Sequence, residues 1–262
     1  METIKGQIVA LGGGGFSMEP ENTLLDDFIL SLAPKKTANI CFVPTASADS
    51  AFYLVKFYRA FSGRAIPTDL TIFDPPSMGR RPTLTTDIAS FVEKQDIIYV
   101  GGGNTANLLS IWRTHGLDRI LRDAWIEGKI LCGISAGMIC WFRDGLTDSF
   151  GGLAPLGDGL GFIDASACPH YHGEKGRPAA YKKAIKEGMI SGYAADDGAA
   201  LHFRGTTLLE VVTSRKEASA YRVEFVNGRV KETRLKQRYL GRSNREGGAK
   251  QSHAADAEER RR

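Results

Sequence analysis

Short apolar runs alternate along the first part of the chain with longer stretches whose apolar residues recur at helical spacing. QIVALGG reads as a buried strand that ends in glycines. NTLLDDFILSLA follows as an amphipathic helix, with Leu24, Leu25, Phe28, Ile29 and Leu32 on one face. ICFVP predicts a strand and AFYLVKFYRAF a helix. LTIFDP, DIASFVEK, DIIYVGGG, NLLSIWRTHG and LDRILRDAWIEG continue the alternation as far as the strand KILCGIS. Strands that are apolar at nearly every position are buried on both faces. Strands of that kind separated by helices predict an α/β fold with a mostly parallel, doubly wound sheet.

Beyond residue 200 the period changes. TLLEVVTS and YRVEFVNGRVKETRL alternate every second residue, and Asn227-Gly228 is a hairpin turn signal. This predicts a β-rich C-terminal edge of the same domain, so that residues 1–240 form a single α/β unit. From Gly241 the chain carries almost no apolar side chains, and residues 241–262 are expected to be a disordered, charged tail.

Composition narrows the function classes. The formal net charge of +4 is too small to argue for nucleic acid, and no basic stripe is interleaved with aromatics. No apolar run reaches the ~20 residues needed to span a bilayer, and the first residues lack the basic and apolar regions of a secretory leader. Cys41, Cys132, Cys140 and Cys168 show no CxxC spacing, as expected of reduced, buried thiols in a cytoplasmic protein. Nothing in these features excludes a homo-oligomer.

The 30 glycines are concentrated at a few points, among them Gly12–Gly15 and Gly101–Gly103. Such clusters mark sharp turns or close backbone approach. The first does not match a dinucleotide fingerprint, because Met18 stands where its third glycine belongs, and no Gly-Lys-Ser/Thr phosphate loop occurs. No cofactor is expected.

The chemistry concentrates in LCGISAGMICWF. A buried strand runs into Gly133-Ile134-Ser135-Ala136-Gly137, and an apolar helix follows. This is the strand–turn–helix context a G-x-S-x-G nucleophile requires. The turn exposes the Ser135 hydroxyl, and the flanking glycines remove Cβ atoms that would clash. The helix N-terminus points N–H groups at a developing oxyanion. A helix-capping serine after a glycine turn is the structural alternative.

A nucleophilic serine needs a base. His115 precedes Gly116 at a helix end, His202 sits in the strand ALHF, and His253 lies in the tail. His170 and His172, in SACPHYHGE, remain. Pro169 interrupts this segment after an apolar run, which fits a strand leaving the sheet at the edge where α/β sites lie. Read with Cys168, the pair could instead be part of a metal site, but no second ligand cluster supports that. Between Ser135 and His170 the acids are Asp144, Asp148, Asp158 and Asp164, and spacing does not choose among them. The turn Gly101-Gly102-Gly103-Asn104-Thr105 ends another strand, and its N–H groups could join that of Ala136 around an oxyanion.

PENTLLDDFI, CFVPTAS, VGGGNTANLL, GISAGMICWF, TDSFGG and CPHYHGEKGRPAAY, in this order, resemble the peptidase E/cyanophycinase family of serine hydrolases, with the peptidase E branch closer. The resemblance spans roughly residues 5–215. It implies a flavodoxin-like sheet, as in class I glutamine amidotransferases, with the nucleophile on its elbow. It assigns Ser135 as nucleophile, His170 rather than His172 as base, and Asp148 as the acid. It places oxyanion donors at Gly102 or Gly103 with Ala136, and Asn104 is expected to bind substrate. It also makes Arg177 the residue that binds an aspartyl carboxylate. The activity implied is hydrolysis of Asp-X dipeptides through an acyl-enzyme, acting on a small peptide without metal or cofactor. The alternatives are a serine hydrolase of other specificity, such as an isoaspartyl peptidase, amidase or esterase, and a catalytically idle binding protein of the same fold.

Overall fold

In the first third of the chain, alternate residues of each strand face two different cores. The computed structural model describes residues 4–73 and 87–241. Strand β1 (Gln7–Leu11) is followed by helices α1 (Gly15–Met18) and α2 (Leu24–Ser31), then by β2 (Asn39–Val43), α3 (Ala51–Phe61) and β3 (Ile66–Asp69). Helix α4 (Ile88–Glu93), β4 (Ile97–Val100), α5 (Thr105–His115), α6 (Leu117–Glu127) and β5 (Ile130–Ile134) come next. These five strands are parallel, in the order β1-β5-β4-β2-β3. Ile8, Ala10, Cys41, Val43, Ile98 and Val100 pack with residues of α5 and α6. Val9, Leu11, Ile40, Phe42, Ile97 and Tyr99 pack with residues of α2 and α3. Burial on both faces is why these strands carry no polar alternation.

One predicted strand is displaced. LTIFDP was expected to pair, but β3 ends at Asp69, one residue before Leu70. Leu70 still donates to the Phe42 carbonyl at 2.8 Å. The Asp49 carboxylate then takes the N–H groups of Ile72 and Phe73, which replaces further ladder bonds. Asp74 and Pro75 lie outside the described residues.

The single sheet expected from the pattern is two sheets. After β5 the helix α7 (Ala136–Ile139) has four residues. Returning to the same parallel sheet takes a crossover of about a dozen residues or more. The chain instead begins a second sheet with β6 (Phe142–Thr147), β7 (Ala154–Leu156), β8 (Ile163–Cys168) and, after α8 (Arg177–Lys186), β9 (Gly192–Ala195). It then returns to the first sheet with β10 (Ala199–Arg204) and β11 (Thr207–Thr213), and to the second with β12 (Ala220–Val226) and β13 (Arg229–Arg234). The short β14 (Gln237–Tyr239) pairs with β11. Among the described residues the sheets have eight and six strands, ordered β14-β11-β10-β1-β5-β4-β2-β3 and β13-β12-β9-β8-β6-β7. The protein is thus a mixed α/β fold. The Asn227-Gly228 hairpin forms as its sequence predicts, with both residues at positive φ, 52° and 76°. Of the expected charged tail, residues 242–262 lie outside the described residues.

This topology assembles the site. Gly12–Gly15, Gly101–Gly103 and Ser135 follow β1, β4 and β5, so all lie at the carboxyl edge of the parallel strands. The turn between β9 and β10 reaches the same edge, because β10 runs antiparallel to β1 with Ala200 opposite Leu11.

Candidate active site

Ser135 connects β5 to α7 with φ 57° and ψ −110°, a conformation that costs a non-glycine residue energy. The surrounding glycines are sterically required. A Cβ on Gly133 would strike the Gly137 carbonyl, and one on Gly137 would enter the Val100 backbone. The Ser135 N–H donates to the Leu11 carbonyl at 3.2 Å, and its carbonyl accepts from Met138 N–H at 2.9 Å. The turn is therefore fixed from both sides. The N–H of Ala136, in the first position of α7, has no acceptor within its helix.

Gly102 lies beside this serine. A Cβ on Gly102 would stand 3.3 Å from Ser135 Cβ and 3.9 Å from Oγ. The Gly102 N–H donates to Tyr53 Oη at 3.3 Å, a long bond that a substrate oxygen could replace. Gly103, at φ 138°, packs against the Ala46 backbone, where no side chain fits. Asn104 caps α5: its Oδ1 accepts from Asn107 N–H at 2.9 Å, and its Nδ2 donates to the Ser149 carbonyl at 3.1 Å. Ser149 Oγ in turn accepts from the N–H groups of Thr105 and Ala106. The TDSFGG segment thus ties down the helix that follows the glycine turn, and Asn104 is engaged in that task.

His170 ends the segment leaving β8 and is buried, with φ 51°. Its N–H donates to the Gly12 carbonyl at 3.0 Å. Its Nδ1 donates to Asp197 Oδ1 at 2.6 Å, which leaves Nε2 as the acceptor nitrogen. Asp197 lies in the turn between β9 and β10. Two glycines make room for it: a Cβ on Gly13 would strike Asp197 Oδ1 and approach His170 Nδ1 to 3.0 Å, and one on Gly173 would come 2.5 Å from Asp197 Oδ2. The first glycine cluster, unexplained by any nucleotide motif, accommodates this His–Asp pair.

Asp148 does not partner His170. Its side chain is 64% exposed, and the nearest cation is Arg177, 3.8 Å away. Asp144 accepts from Ile190 N–H, Asp158 pairs with Arg113 and Asp164 with Arg143. The carboxylate that reaches His170 is Asp197, which follows both Ser135 and His170 in the chain rather than lying between them. Arg177 is also displaced from its expected role. It is 2% exposed, its Nε donates to Glu174 Oε2 at 2.5 Å, and it does not line the cleft that holds Ser135. His172 Nδ1 donates to Asp196 Oδ1 at 2.8 Å, and its half-exposed ring packs against Tyr221.

Ser135 and His170 open into one cleft of about 320 Å³. Its other walls are Ser17 and Met18 from α1, Ser50 and three residues of α3 (Phe52, Tyr53 and Lys56), with Gly102 and Ile134. Sequence reasoning missed the α3 residues. They read as an amphipathic helix, and only the burial of Phe57 and Phe61 shows which face is left to the cleft. Burial pushes the Tyr53 phenol up, partly offset by hydrogen bonds from Ser17 and the Gly102 N–H, so this phenol stays uncharged. The four cysteines are buried and form no disulfide among the described residues, and burial pushes the thiols of Cys132, Cys140 and Cys168 up, the last to about 12. Among the described residues no group of three His, Cys, Asp or Glu is placed to hold a metal, and no helix is long and apolar enough to cross a membrane.

The sequence and the fold have counterparts among known proteins. The sequence model of peptidase family S51 matches residues 8–211. The chain belongs to peptidase family S51. It is 51% identical over 237 residues to the uncharacterized peptidase YgaJ of Bacillus subtilis, covering 90% of this chain and 99% of that protein. It is 30% identical over 129 residues to peptidase E of Pasteurella multocida, covering 45% of this chain and 54% of that one. A crystal structure of a peptidase from an acI-B1 actinobacterium shares the fold with a TM-score of 0.67 at 19% identity, over 90% of this chain and 96% of the other. A peptidase E protein from Listeria monocytogenes, described as putative in its structure, matches with a TM-score of 0.55 at 20% identity, over 88% and 99%. S51 membership makes the protein a hydrolase of the peptidase class.

Proposed function

We propose that this S51 member is a serine peptidase that hydrolyses Asp-X dipeptides through an acyl-enzyme. The observation that carries the serine mechanism is the pairing of a strained Ser135 with His170 in one cleft, with Asp197 holding His170 Nδ1 at 2.6 Å. Ser135 Oγ attacks the peptide carbonyl carbon, and His170 Nε2 accepts the hydroxyl proton. The bond to the leaving nitrogen breaks as His170 returns that proton to the amine. A water then attacks the acyl carbon through the same base, releasing the acid and restoring Ser135. Asp197 keeps the Nδ1–H tautomer and stabilises the imidazolium formed in each half-reaction. The N–H groups of Ala136 and Gly102 face the developing oxyanion, with Gly103 shaping the turn. The aspartyl preference rests on the family resemblance, and a cation in the cleft is consistent with it.

The test combines a dipeptide panel with a fluorophosphonate probe. Cleavage of Asp-Leu ahead of Asn-Leu, Ala-Leu and β-Asp-Leu, with probe label mapped to Ser135 and both lost in Ser135→Ala, is the expected result. Label on another residue, or full turnover by Ser135→Ala, would remove the serine mechanism. Faster cleavage of β-Asp-Leu would move the specificity to isoaspartyl bonds.

A further inference from the structure

The charge distribution of the cleft identifies a residue with no assigned task. Arg177, to which the resemblance gives the substrate carboxylate, does not line the cleft: its Nε pairs with Glu174 and its Nη2 lies 3.8 Å from Asp148. Lys56 does line the cleft. It lies on α3, one helical turn after Phe52 and three residues after Tyr53, so the three side chains share the face turned to Ser135. Its Nζ donates to the Ser17 carbonyl at 3.0 Å and stands 5.1 Å from the centre of the Phe52 ring.

These contacts position the ammonium without neutralising it. An ammonium carries three N–H donors, and the Ser17 carbonyl takes one. Among the described residues no carboxylate pairs with Lys56, and the cleft walls contain neither Asp nor Glu. Met18, Phe52 and Ile134 make much of the rest apolar, so Lys56 supplies the fixed positive charge that a substrate meets in the cleft. We infer that Lys56 is the specificity residue of this cleft and receives the acidic group of the substrate, in the role the resemblance gives to Arg177. This rests on the proposal that Ser135 carries out peptide hydrolysis. A lysine supplies a point charge rather than a planar fork, so the acid is selected by charge and position, and Lys56→Arg retains part of the preference.

The experiment measures kcat/KM for Asp-Leu, Asn-Leu and Ala-Leu in the wild type, Lys56→Met, Lys56→Arg and Arg177→Ala, with labelling of Ser135 by a neutral fluorophosphonate in parallel. Lys56→Met is expected to lose on the order of 10- to 100-fold in the Asp-Leu to Asn-Leu ratio, mostly through KM, while Ser135 still labels. Arg177→Ala is expected to lower all three substrates alike. A Lys56→Met enzyme that labels but keeps the wild-type ratio overturns the inference, as does a selective loss of Asp-Leu in Arg177→Ala. A Lys56→Met protein that neither labels nor turns over is judged by Lys56→Arg: an equal loss on all three substrates or an unchanged ratio there overturns it, and a reduced Asp-Leu to Asn-Leu ratio supports it. A wild type that labels at Ser135 without preferring Asp-Leu overturns the role of Lys56 and leaves the serine hydrolase standing. A wild type that neither labels nor cleaves any of the three fails both.

Discussion

His170 takes its orientation from Asp197, whose Oδ1 accepts the Nδ1 hydrogen at 2.6 Å although the two residues lie 27 positions apart. Gly13 and Gly173 close over the aspartate, so the pair is held in a slot that accepts no larger side chain. Removing this carboxylate should cost far more than removing Asp148. Asp197→Asn is expected to lower kcat by roughly 10³–10⁴-fold, because the amide favours the wrong imidazole tautomer. Asp148→Ala should stay within several-fold of wild type, since that side chain is mostly exposed. Steady-state kinetics on Asp-Leu distinguish the two, and equal losses would return Asp148 to the site.

Gly13→Ala probes the slot from the opposite side. Its Cβ has no room between Asp197 Oδ1 and His170 Nδ1, so either the aspartate or the β1 turn must shift. Misplacing a catalytic group by about 1 Å can cost on the order of 10²-fold in rate. The variant should fold, as judged by circular dichroism, and lose most of its kcat. Wild-type kcat in a folded Gly13→Ala protein would argue against Asp197 as the orienting acid.

The two histidines of PHYH should differ sharply. His170 lines the cleft and is buried, whereas His172 is half exposed and bound to Asp196 on another side of the chain. His170→Ala is expected to abolish measurable turnover, and His172→Ala to change kcat/KM by no more than several-fold. Comparable losses in the two variants would leave the base unassigned.

Ser135 pays for its exposure in backbone strain, with φ at 57° and ψ at −110°. Glycine adopts positive φ without a Cβ penalty, whereas alanine retains it. Both Ser135→Gly and Ser135→Ala should be inactive, and the glycine variant should be the more stable by about 1 kcal/mol in urea denaturation. An alanine variant as stable as the glycine one would mean that the elbow is unstrained.

Asp26 gives the fold a pH dependence unrelated to the triad. It is buried beneath α1, and its Oδ1 lies 3.2 Å from where a Gly15 Cβ would be. Burial raises its pKa from the usual 3.8 to about 7, against the lowering effects of Arg64 and the Phe16 backbone; Asp27 and Glu19 add smaller upward pushes. The folded protein therefore keeps a proton that the unfolded chain releases between pH 3.8 and about 7. Stability should fall as pH rises through that window and level off above it. Asp26→Asn should remove this slope and be the more stable protein at pH 8, by on the order of a few kcal/mol. Urea midpoints at pH 5, 6, 7 and 8 give the comparison, and parallel profiles for the two proteins would show that Asp26 is not the titrating group.

Much of the architecture is legible in local pattern. The parallel strands β1, β2, β4 and β5 fall on runs that are apolar at nearly every position, because both of their faces are buried. The Gly-x-Ser-x-Gly turn is legible for a steric reason: Gly133 and Gly137 each meet backbone where a Cβ would sit. The C-terminal hairpin is legible because Asn227 and Gly228 tolerate positive φ. The second sheet was hidden. Mixed runs such as β6 (FRDGLT) and β8 (IDASAC) do not mark which sheet they join, and the brevity of α7 keeps the chain from returning directly to the first sheet.

The sequence by itself determined the α/β class and the tight Gly-x-Ser-x-Gly turn, and pointed to the PHYH segment, because each depends on residues adjacent in the chain and on steric rules that act over a few bonds. Tertiary structure alone decided which acid orients His170 and which cation faces the cleft. Asp148 and Asp197 are equally acidic in sequence, and Arg177 and Lys56 equally basic. Their roles depend on strand order and helix facing, which bring the β9–β10 turn against Gly13 and turn Lys56 inward while Glu174 and Asp148 occupy Arg177. Charge is a property of the residue, but function at a site belongs to the distance between groups, and that distance is set by packing far from either residue in the chain.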